Sequence, residues 1–145
     1  KREKISSPSN NLKKILEEEK KLKLDTVESC LIFKEKCKVS KEKINNKIIN
    51  LKKEGKSICG YAATSKSTTV LNYCGINNEH IDYICDTTEE KIGKYTPGTH
   101  IPIKSMNHFY KNQTDSVYLF AWNHKNEILQ KEKEFKGEWF SHVSL

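Results

Sequence analysis

The stretch ICGYAATSKSTTVLNYCG, residues 58–75, decides the fold of this chain. The apolar residues at its start predict a buried strand over residues 57–61, and residues 68–73 predict the helix that follows. The two elements are joined by a turn of small and hydroxylated residues. Such a turn, placed directly after a buried strand, raises the question of what binds there.

The alternation of strand and helix continues to the C-terminus. Further apolar runs predict strands at residues 81–86, 100–103, 116–121 and 138–143. Helices are predicted from a cap at Ser105 to about Tyr110 and over residues 124–134. This order favours an α/β fold, Rossmann-like, with a mostly parallel sheet and helices on both faces.

Two helical patterns precede the first strand. Leu12 to Leu22 form a short apolar stripe that Ser9 or Asn10 would cap. Residues 27–53 form a longer helix, whose buried face is marked by apolar residues and whose end is marked by Gly55. We therefore divide the chain into a helical segment, residues 1–55, that packs on or bridges to a Rossmann-like substrate-binding domain, residues 56–145.

Composition excludes several classes of function. The chain has 145 residues, a formal net charge of +7 and a single arginine, Arg2. Because phosphate forks favour arginine, the many lysines indicate compositional bias, and we expect no nucleic-acid partner. Five cysteines without a CxxC pair predict no metal site, and the absence of a long apolar run predicts a cytoplasmic protein with no membrane partner.

The turn after the first strand has the position of an anion site, because the first amides of the following helix point toward the ligand crevice. Ser65 and Ser67 offer hydroxyls there, and Lys66 offers a positive charge. The plain alternative is that these hydroxyls only cap the helix. Ala62 stands where a dinucleotide fingerprint has its second glycine, so a standard NAD or S-adenosylmethionine loop is not supported.

Further polar and aromatic residues are expected at the same edge of the sheet. Asp86 ends the second strand, where an acidic side chain either reaches a ribose hydroxyl or caps the next turn. The Pro97-Gly98 turn is flanked by Tyr95, Thr99 and His100. The fourth strand is followed by Trp122 and Asn123. A structural histidine and a core tryptophan are the competing interpretations of His100 and Trp122.

Three motifs in this order resemble one family. They are LNYCGI (residues 71–76), GKYTPGTHIPI (93–103) and WNHKNEI (122–128). Together they are similar to the C-terminal domain of the S-adenosylmethionine-dependent sugar C-methyltransferases, over residues 13–143. The resemblance implies that S-adenosylmethionine and zinc belong to the full-length enzyme, in central and N-terminal domains absent here, and that neither is bound to this chain alone.

The resemblance also implies roles for particular residues. Lys66 would meet the diphosphate of a nucleotide-diphosphate sugar, and Asn72 and Tyr73 match the family motif. Ala62 stands where the family has glycine, and the position after Asp86 lacks the family's arginine. We expect no catalytic residue in this chain, which would position a keto-deoxysugar nucleotide without transferring a methyl group. The alternatives are a stand-alone binding or assembly module and an enzyme that uses another nucleotide or CoA.

Overall fold

The computed structural model describes residues 8–143, which form two compact units, residues 8–38 and residues 39–143. The division falls inside a long helix, whereas the boundary proposed from the sequence lies at residues 55 and 56. Across the described residues, none of the helices combines the length and the apolar character that a membrane crossing requires.

Two helices open the chain. The first, α1, spans Asn10–Lys21 and begins at Ser9, whose hydroxyl oxygen accepts a hydrogen bond of 3.2 Å from the amide of Leu12. The second, α2, spans Val27–Lys53. It ends at Gly55, which has the left-handed φ of 73° typical of a helix C-terminus. Ser9 as the cap and Gly55 as the stop are both confirmed.

The sheet is built from five parallel strands in the order β3-β2-β1-β4-β5. The strands are β1 (Ile58–Tyr61), β2 (Tyr83–Asp86), β3 (Ile103–Ser105), β4 (Ser116–Leu119) and β5 (Glu138–Phe140). The helices between them are α3 (Ser65–Cys74), α4 (Met106–Lys111) and α5 (Lys125–Lys131). This confirms the predicted α/β, Rossmann-like class.

Both faces of the sheet are covered. Strand residues alternate between two clusters, because successive side chains of a strand point to opposite faces. Ile58 and Ile84 pack with residues of α2 and α3, including Ile44 and Leu71. Cys59 and its neighbours on the other face pack with residues from α4, α5 and the segment before β5.

The third strand was predicted in the wrong place, at residues 100–103. His100 has a left-handed φ of 54°, and the amide of Ile101 donates to the hydroxyl of Thr96 over 2.9 Å. Residues 95–102 therefore form a turned loop, closed by a bridge between Tyr95 and Pro102, before the chain enters the sheet at Ile103. The other strands are shorter than predicted, and α3 begins three residues earlier.

The centre of the sheet tolerates no extra atom at Gly60. A Cβ there would lie 2.7 Å from Phe120 and 2.8 Å from Ile84. We expect Gly60→Ala to lower the free energy of unfolding by about 1–3 kcal/mol, because overpacking forces neighbours to shift. Urea unfolding monitored by circular dichroism measures this change.

A matched core substitution serves as the control. The buried hydroxyl of Ser116, on the neighbouring strand, has no hydrogen-bond partner in the described part of the chain. Ser116→Ala should therefore leave stability unchanged or raise it by up to about 1 kcal/mol, since it removes an unsatisfied polar group. Equal stability of Gly60→Ala and the parent chain would contradict the packing argument.

Candidate functional site

The topology places a crevice at the C-terminal ends of β1 and β4. From β1 the chain proceeds through β2 to β3 on one side and returns to β4 on the other. Ligands of doubly wound sheets bind at such a switch point, outside the carboxyl ends of the strands. The turn after β1 and the segment after β4 therefore form the two walls of this crevice.

The turn after β1 is held in an unusual backbone conformation. Ala62 has a left-handed φ of 73°, and its amide donates to the carbonyl of Cys85 over 2.9 Å. A residue with a Cβ pays about 1–2 kcal/mol for this conformation, which glycine adopts freely. Position 62 therefore has the geometry that suits glycine while it carries alanine.

Some hydroxyls of the turn are used by the helix itself. The hydroxyl oxygen of Thr64 accepts from the amide of Ser67 over 3.1 Å, and the hydroxyl of Ser67 donates to the carbonyl of Thr64 over 2.6 Å. Ser67 is buried, whereas Ser65 is exposed. The hydroxyls of Thr64 and Ser67 thus cap the helix, as the plain alternative expects. The side chain of Ser65 is exposed to solvent at the first turn of α3.

Lys66 joins the two walls of the crevice. Its ammonium group donates to the side-chain oxygen of Asn123 over 2.9 Å and lies 5.2 Å from the centre of the Trp122 ring. Trp122 is 38% exposed and is not part of either core cluster. The structure therefore brings together three predicted residues, Lys66, Trp122 and Asn123. Lys66 precedes the other two by 56 and 57 positions in the sequence.

Asp86 lies under the same turn and is almost fully buried. Its carboxylate accepts from the amide of Ala63 over 2.7 Å and from the amide of Thr88 over 2.8 Å. Burial alone would raise the pKa of Asp86, but the hydrogen bonds from Thr88 and Ala63 and the charge of Lys91 outweigh it, so the pKa lies below its ordinary value. Asp86 thus stabilises the turn as an anion.

Lys91 is a residue that the sequence analysis missed. Its ammonium group donates to the carbonyl of Ala63 over 2.8 Å and lies 3.4 Å from the carboxylate of Asp86. Asp86 and Lys91 therefore hold the residue Ala63 at both its amide and its carbonyl. No local pattern marks this role, because a short 3₁₀ helix, Glu89–Lys91, returns the lysine to the turn.

The loop around Pro97 and Gly98 is tied to α3. The side-chain amide of Asn72 donates to the carbonyl of Pro97 over 3.0 Å, and the Thr99 hydroxyl lies 2.7 Å from that of Thr96. Both contacts are internal to the protein. Asn72 and Thr99 thus shape the loop next to the crevice.

Three other predicted residues have different surroundings. Tyr95 and His100 are exposed on the loop. Tyr73 lies against α2, where the ammonium group of Lys41 is 5.2 Å from its ring centre. Tyr73 is therefore not brought next to Lys66, Trp122 and Asn123 by any contact.

One hollow lies beside the first turn of α3, and a second lies at the segment after β4. The Tyr95 cleft, about 280 Å³, lies between residues 63–68 and residues 91–97, with Ile103 also in its wall. The Trp122 depression, about 430 Å³, is lined by residues 122–127. The predicted ligand residues are thus divided between two neighbouring surfaces rather than gathered in one pocket.

The described residues do not fit a metal or a standard methyl-donor loop. Within residues 8–143, no three His, Cys, Asp or Glu side chains come close enough to hold a metal ion. The turn after β1 carries Ala62 and Ser65 where a G-x-G-x-x-G loop that begins at Gly60 has its second and third glycines. Neither zinc nor S-adenosylmethionine is assigned to these residues.

Comparison with known proteins gives two matches. The family described as C-methyltransferase C-terminal domain matches residues 1–143. The C-methyltransferase NovU of Streptomyces niveus is 40% identical over 82 residues, which are 57% of this chain and 20% of NovU. The match thus spans about a fifth of the length of that curated relative.

The left-handed φ of Ala62 yields a stability prediction. Ala62→Gly should raise the free energy of unfolding by about 0.5–1 kcal/mol, because relief of the left-handed strain exceeds the entropy that glycine loses on folding. Urea unfolding of the parent and the variant measures the difference. As a control, Ala121→Gly removes a methyl group after β4 at a residue whose φ is −84°, and it should not stabilise. A less stable Ala62→Gly chain would contradict the strain argument.

The buried Asp86 yields a pH prediction. Asp86→Asn should lower the free energy of unfolding by about 1–3 kcal/mol at pH 7, because the amide cannot replace a carboxylate that accepts from two amides beside Lys91. Since the pKa of Asp86 is lowered in the folded chain, its contribution is complete above the unfolded value of about 3.9 and is lost as the pH falls further.

The difference between parent and Asp86→Asn should therefore shrink as the pH falls below about 3.9. Urea unfolding of both chains from pH 7 to pH 2.5 provides the measurement. Glu90→Gln is the control, because Glu90 is exposed on the 3₁₀ helix next to the turn, and a surface substitution there should change the free energy of unfolding by no more than about 0.5 kcal/mol. A constant difference for Asp86→Asn over this range would exclude the proposed ionic contribution.

Proposed function

The chain belongs to the family of C-methyltransferase C-terminal domains, and on that premise we propose that it binds the nucleotide-diphosphate sugar on which such an enzyme acts. Its role is to hold a keto-deoxysugar nucleotide while another domain carries out the methyl transfer. The observation that carries the proposal is the contact of Lys66 with Asn123 and Trp122 at the switch point of the sheet.

The chemistry of this cluster suits a phosphorylated sugar. Lys66 brings a positive charge to the first turn of α3, where unpaired helix amides also favour an anion. The half-exposed ring of Trp122 offers an apolar face, and Asn123 offers an amide for hydroxyl groups. Ser65 adds an exposed hydroxyl. A diphosphate next to a sugar ring is the ligand that matches these groups together.

The other predicted residues have supporting roles in this proposal. Asp86 with Ser67 keeps the turn in place, and Asn72 with Thr99 fixes the neighbouring loop. These groups are already paired within the protein, so their effect on the ligand is indirect. Tyr95 and His100 remain available at the edge of the crevice, and Tyr73 is proposed to face a neighbouring domain.

The proposed contribution to catalysis is orientation. Binding both ends of a substrate places its reacting carbon against groups supplied elsewhere, which lowers the entropic part of the barrier. In the complete enzyme, a base outside this chain would remove the proton beside the keto group and the resulting enolate would attack the donor methyl. Because NovU extends far beyond the matched region, we place these groups and any zinc in other domains. The purified chain alone is expected to show no methyl transfer.

A second candidate is a binding or assembly module without a catalytic partner. The alanine in a left-handed position favours it, since a Cβ at residue 62 makes close approach of a diphosphate harder. Calorimetry separates the two functions. If the chain is such a module, nucleoside diphosphates, nucleotide sugars and CoA should all fail to bind. If it is the substrate-binding domain, its affinity should be highest for nucleotide sugars.

Lys66 provides the direct test of the proposal. Lys66→Met should weaken binding of UDP-glucose or dTDP-glucose by about tenfold, because one charged contact to a phosphate is worth roughly 1.5–3 kcal/mol. The loss should be larger at 20 mM than at 300 mM salt, since salt screens the exposed charge. Isothermal titration calorimetry gives the affinities.

Lys53→Met supplies the matched control, because Lys53 is exposed at the end of α2 and outside the crevice. Its affinity should equal that of the parent chain at both salt concentrations. Unchanged affinity of Lys66→Met would remove the lysine from the ligand site.

A further inference from the structure

Glu132 carries a buried carboxylate that has no part in the proposed ligand site. The residue is 6% exposed and directly follows the last residue of α5. Its carboxylate reaches Tyr61, a member of the core cluster that covers one face of the sheet. A charge in such surroundings is costly unless hydrogen bonds compensate it, so its partners indicate what the carboxylate holds in place.

Two tyrosine hydroxyls donate to the same oxygen of Glu132. The hydroxyl of Tyr61, the last residue of β1, lies 2.7 Å from it, and the hydroxyl of Tyr110, in α4, lies 3.2 Å from it. Burial, and then the contact with Glu132, raises the pKa of both tyrosines, so their hydroxyls stay protonated and donate at neutral pH. Glu132 therefore joins three elements of the domain, β1, α4 and α5.

The helix α5 has few other anchors. None of its seven residues, all of which the structure describes, is buried. Ile128 is half-buried and packs against the core cluster. Because so short a helix does not keep its place without tertiary contacts, the buried carboxylate at its C-terminal end is one of the contacts that hold it.

The segment that carries Trp122 and Asn123 runs directly into α5. It forms a 3₁₀ helix, Trp122–His124, and α5 begins at the next residue. Ala121 is buried in the core cluster and fixes the point where this segment leaves the sheet, whereas α5 fixes its other end. A shift of α5 would therefore move Trp122 and Asn123 relative to Lys66, which belongs to α3.

The donor of the shorter hydrogen bond lies next to the opposite wall of the crevice. Tyr61 immediately precedes Ala62, and its carbonyl accepts from the amide of Phe120 over 3.2 Å. The contact between Tyr61 and Glu132 thus connects the strand that leads into the turn after β1 with the helix that follows the segment after β4. It ties the two walls together from within the core.

We propose that Glu132 is a positioning residue: it accepts from the hydroxyl of Tyr61, thereby holds α5, and through α5 keeps the segment of Trp122 and Asn123 in contact with α3. Glu132 itself touches no ligand. Its effect on the surroundings of Trp122 is a property of the free chain, whereas its effect on the binding of a nucleotide sugar rests on the proposed function.

The first measurement follows the fluorescence of Trp122 in the free 145-residue chain. The chain has two tryptophans, so Trp139→Phe leaves Trp122 as the sole indole. In this background Glu132→Ala and Tyr61→Phe should raise acrylamide quenching of Trp122 by up to about 2.5-fold, the limit set by full exposure of a side chain that is now 38% exposed. Glu132→Gln should raise it less, because its amide oxygen still accepts from Tyr61.

Tyr83→Phe supplies the matched control. Tyr83 is buried in the same core cluster, and its hydroxyl donates to the carbonyl of Asn112 over 2.9 Å. The substitution therefore also removes one buried hydroxyl, but its partner lies at the end of α4 and not at α5. Tyr83→Phe should lower the free energy of unfolding as Tyr61→Phe does and leave the quenching of Trp122 unchanged.

The second measurement is calorimetry with UDP-glucose and dTDP-glucose. Glu132→Ala and Tyr61→Phe should weaken binding by about two- to tenfold, the usual cost of ordering one free side chain when a ligand binds. Tyr83→Phe should bind with the affinity of the parent chain. Circular dichroism checks that each variant is folded, and Tyr61→Phe, which keeps the aromatic ring, retains the test should Glu132→Ala unfold.

The outcomes separate this inference from the proposed function. If quenching of Trp122 is the same in all variants, or rises equally in Tyr83→Phe, the positioning role is overturned even where the sugar nucleotides bind. If quenching rises as expected but the parent chain binds neither sugar nucleotide, Glu132 still positions the segment and the proposed function falls. If quenching rises while Glu132→Ala and Tyr61→Phe bind as tightly as the parent chain, the role of Glu132 in ligand binding is overturned.

Discussion

The hydrogen bond between the carboxylate of Asp86 and the amide of Ala63 is the contact on which the site depends. It joins the end of β2 to the turn after β1 over 2.7 Å, and Lys91 completes it by donating to the carbonyl of the same residue. This pair fixes the residue that follows the left-handed Ala62, which sets the direction in which α3 leaves the sheet. A buried charge that is fully paired in this way is costly to disturb, because either partner left alone would be unsatisfied.

The direction of α3 in turn determines which groups surround the crevice. Its first turn presents Ser65 to solvent and brings Lys66 against Asn123 and Trp122. Six residues after Lys66, Asn72 anchors the loop that carries Tyr95. A single short helix thus contacts both the segment after β4 and the loop around Pro97.

A domain matching only 20% of NovU need not contain reactive groups, since orientation of the substrate is itself a large part of catalysis. Within residues 8–143 the strongly displaced pKa values belong to buried thiols and tyrosines, whose neutral forms are favoured by burial. Such groups pack in the core, apart from the surface cluster of Lys66, Trp122 and Asn123.

The sequence by itself determined the class of fold, because burial on both faces of a parallel sheet demands apolar runs alternating with helices. It also determined local caps such as Ser9, Ser105 and Gly55, whose side chains or backbone act within a few residues. Only the tertiary structure decided the partners of Asp86 and the hydrogen bond from Lys91 to Ala63. It also decided the position of the third strand, because the chain turns at Thr96 and His100 before Ile103. It also decided that Ala62 is left-handed and that Lys66 meets Trp122. The physical reason is that most of these features depend on contacts between segments distant in the chain, which no local pattern of residues encodes. The turn before the third strand is local, but its hydrogen bond from Ile101 to Thr96 replaces the extended backbone that the apolar run predicted.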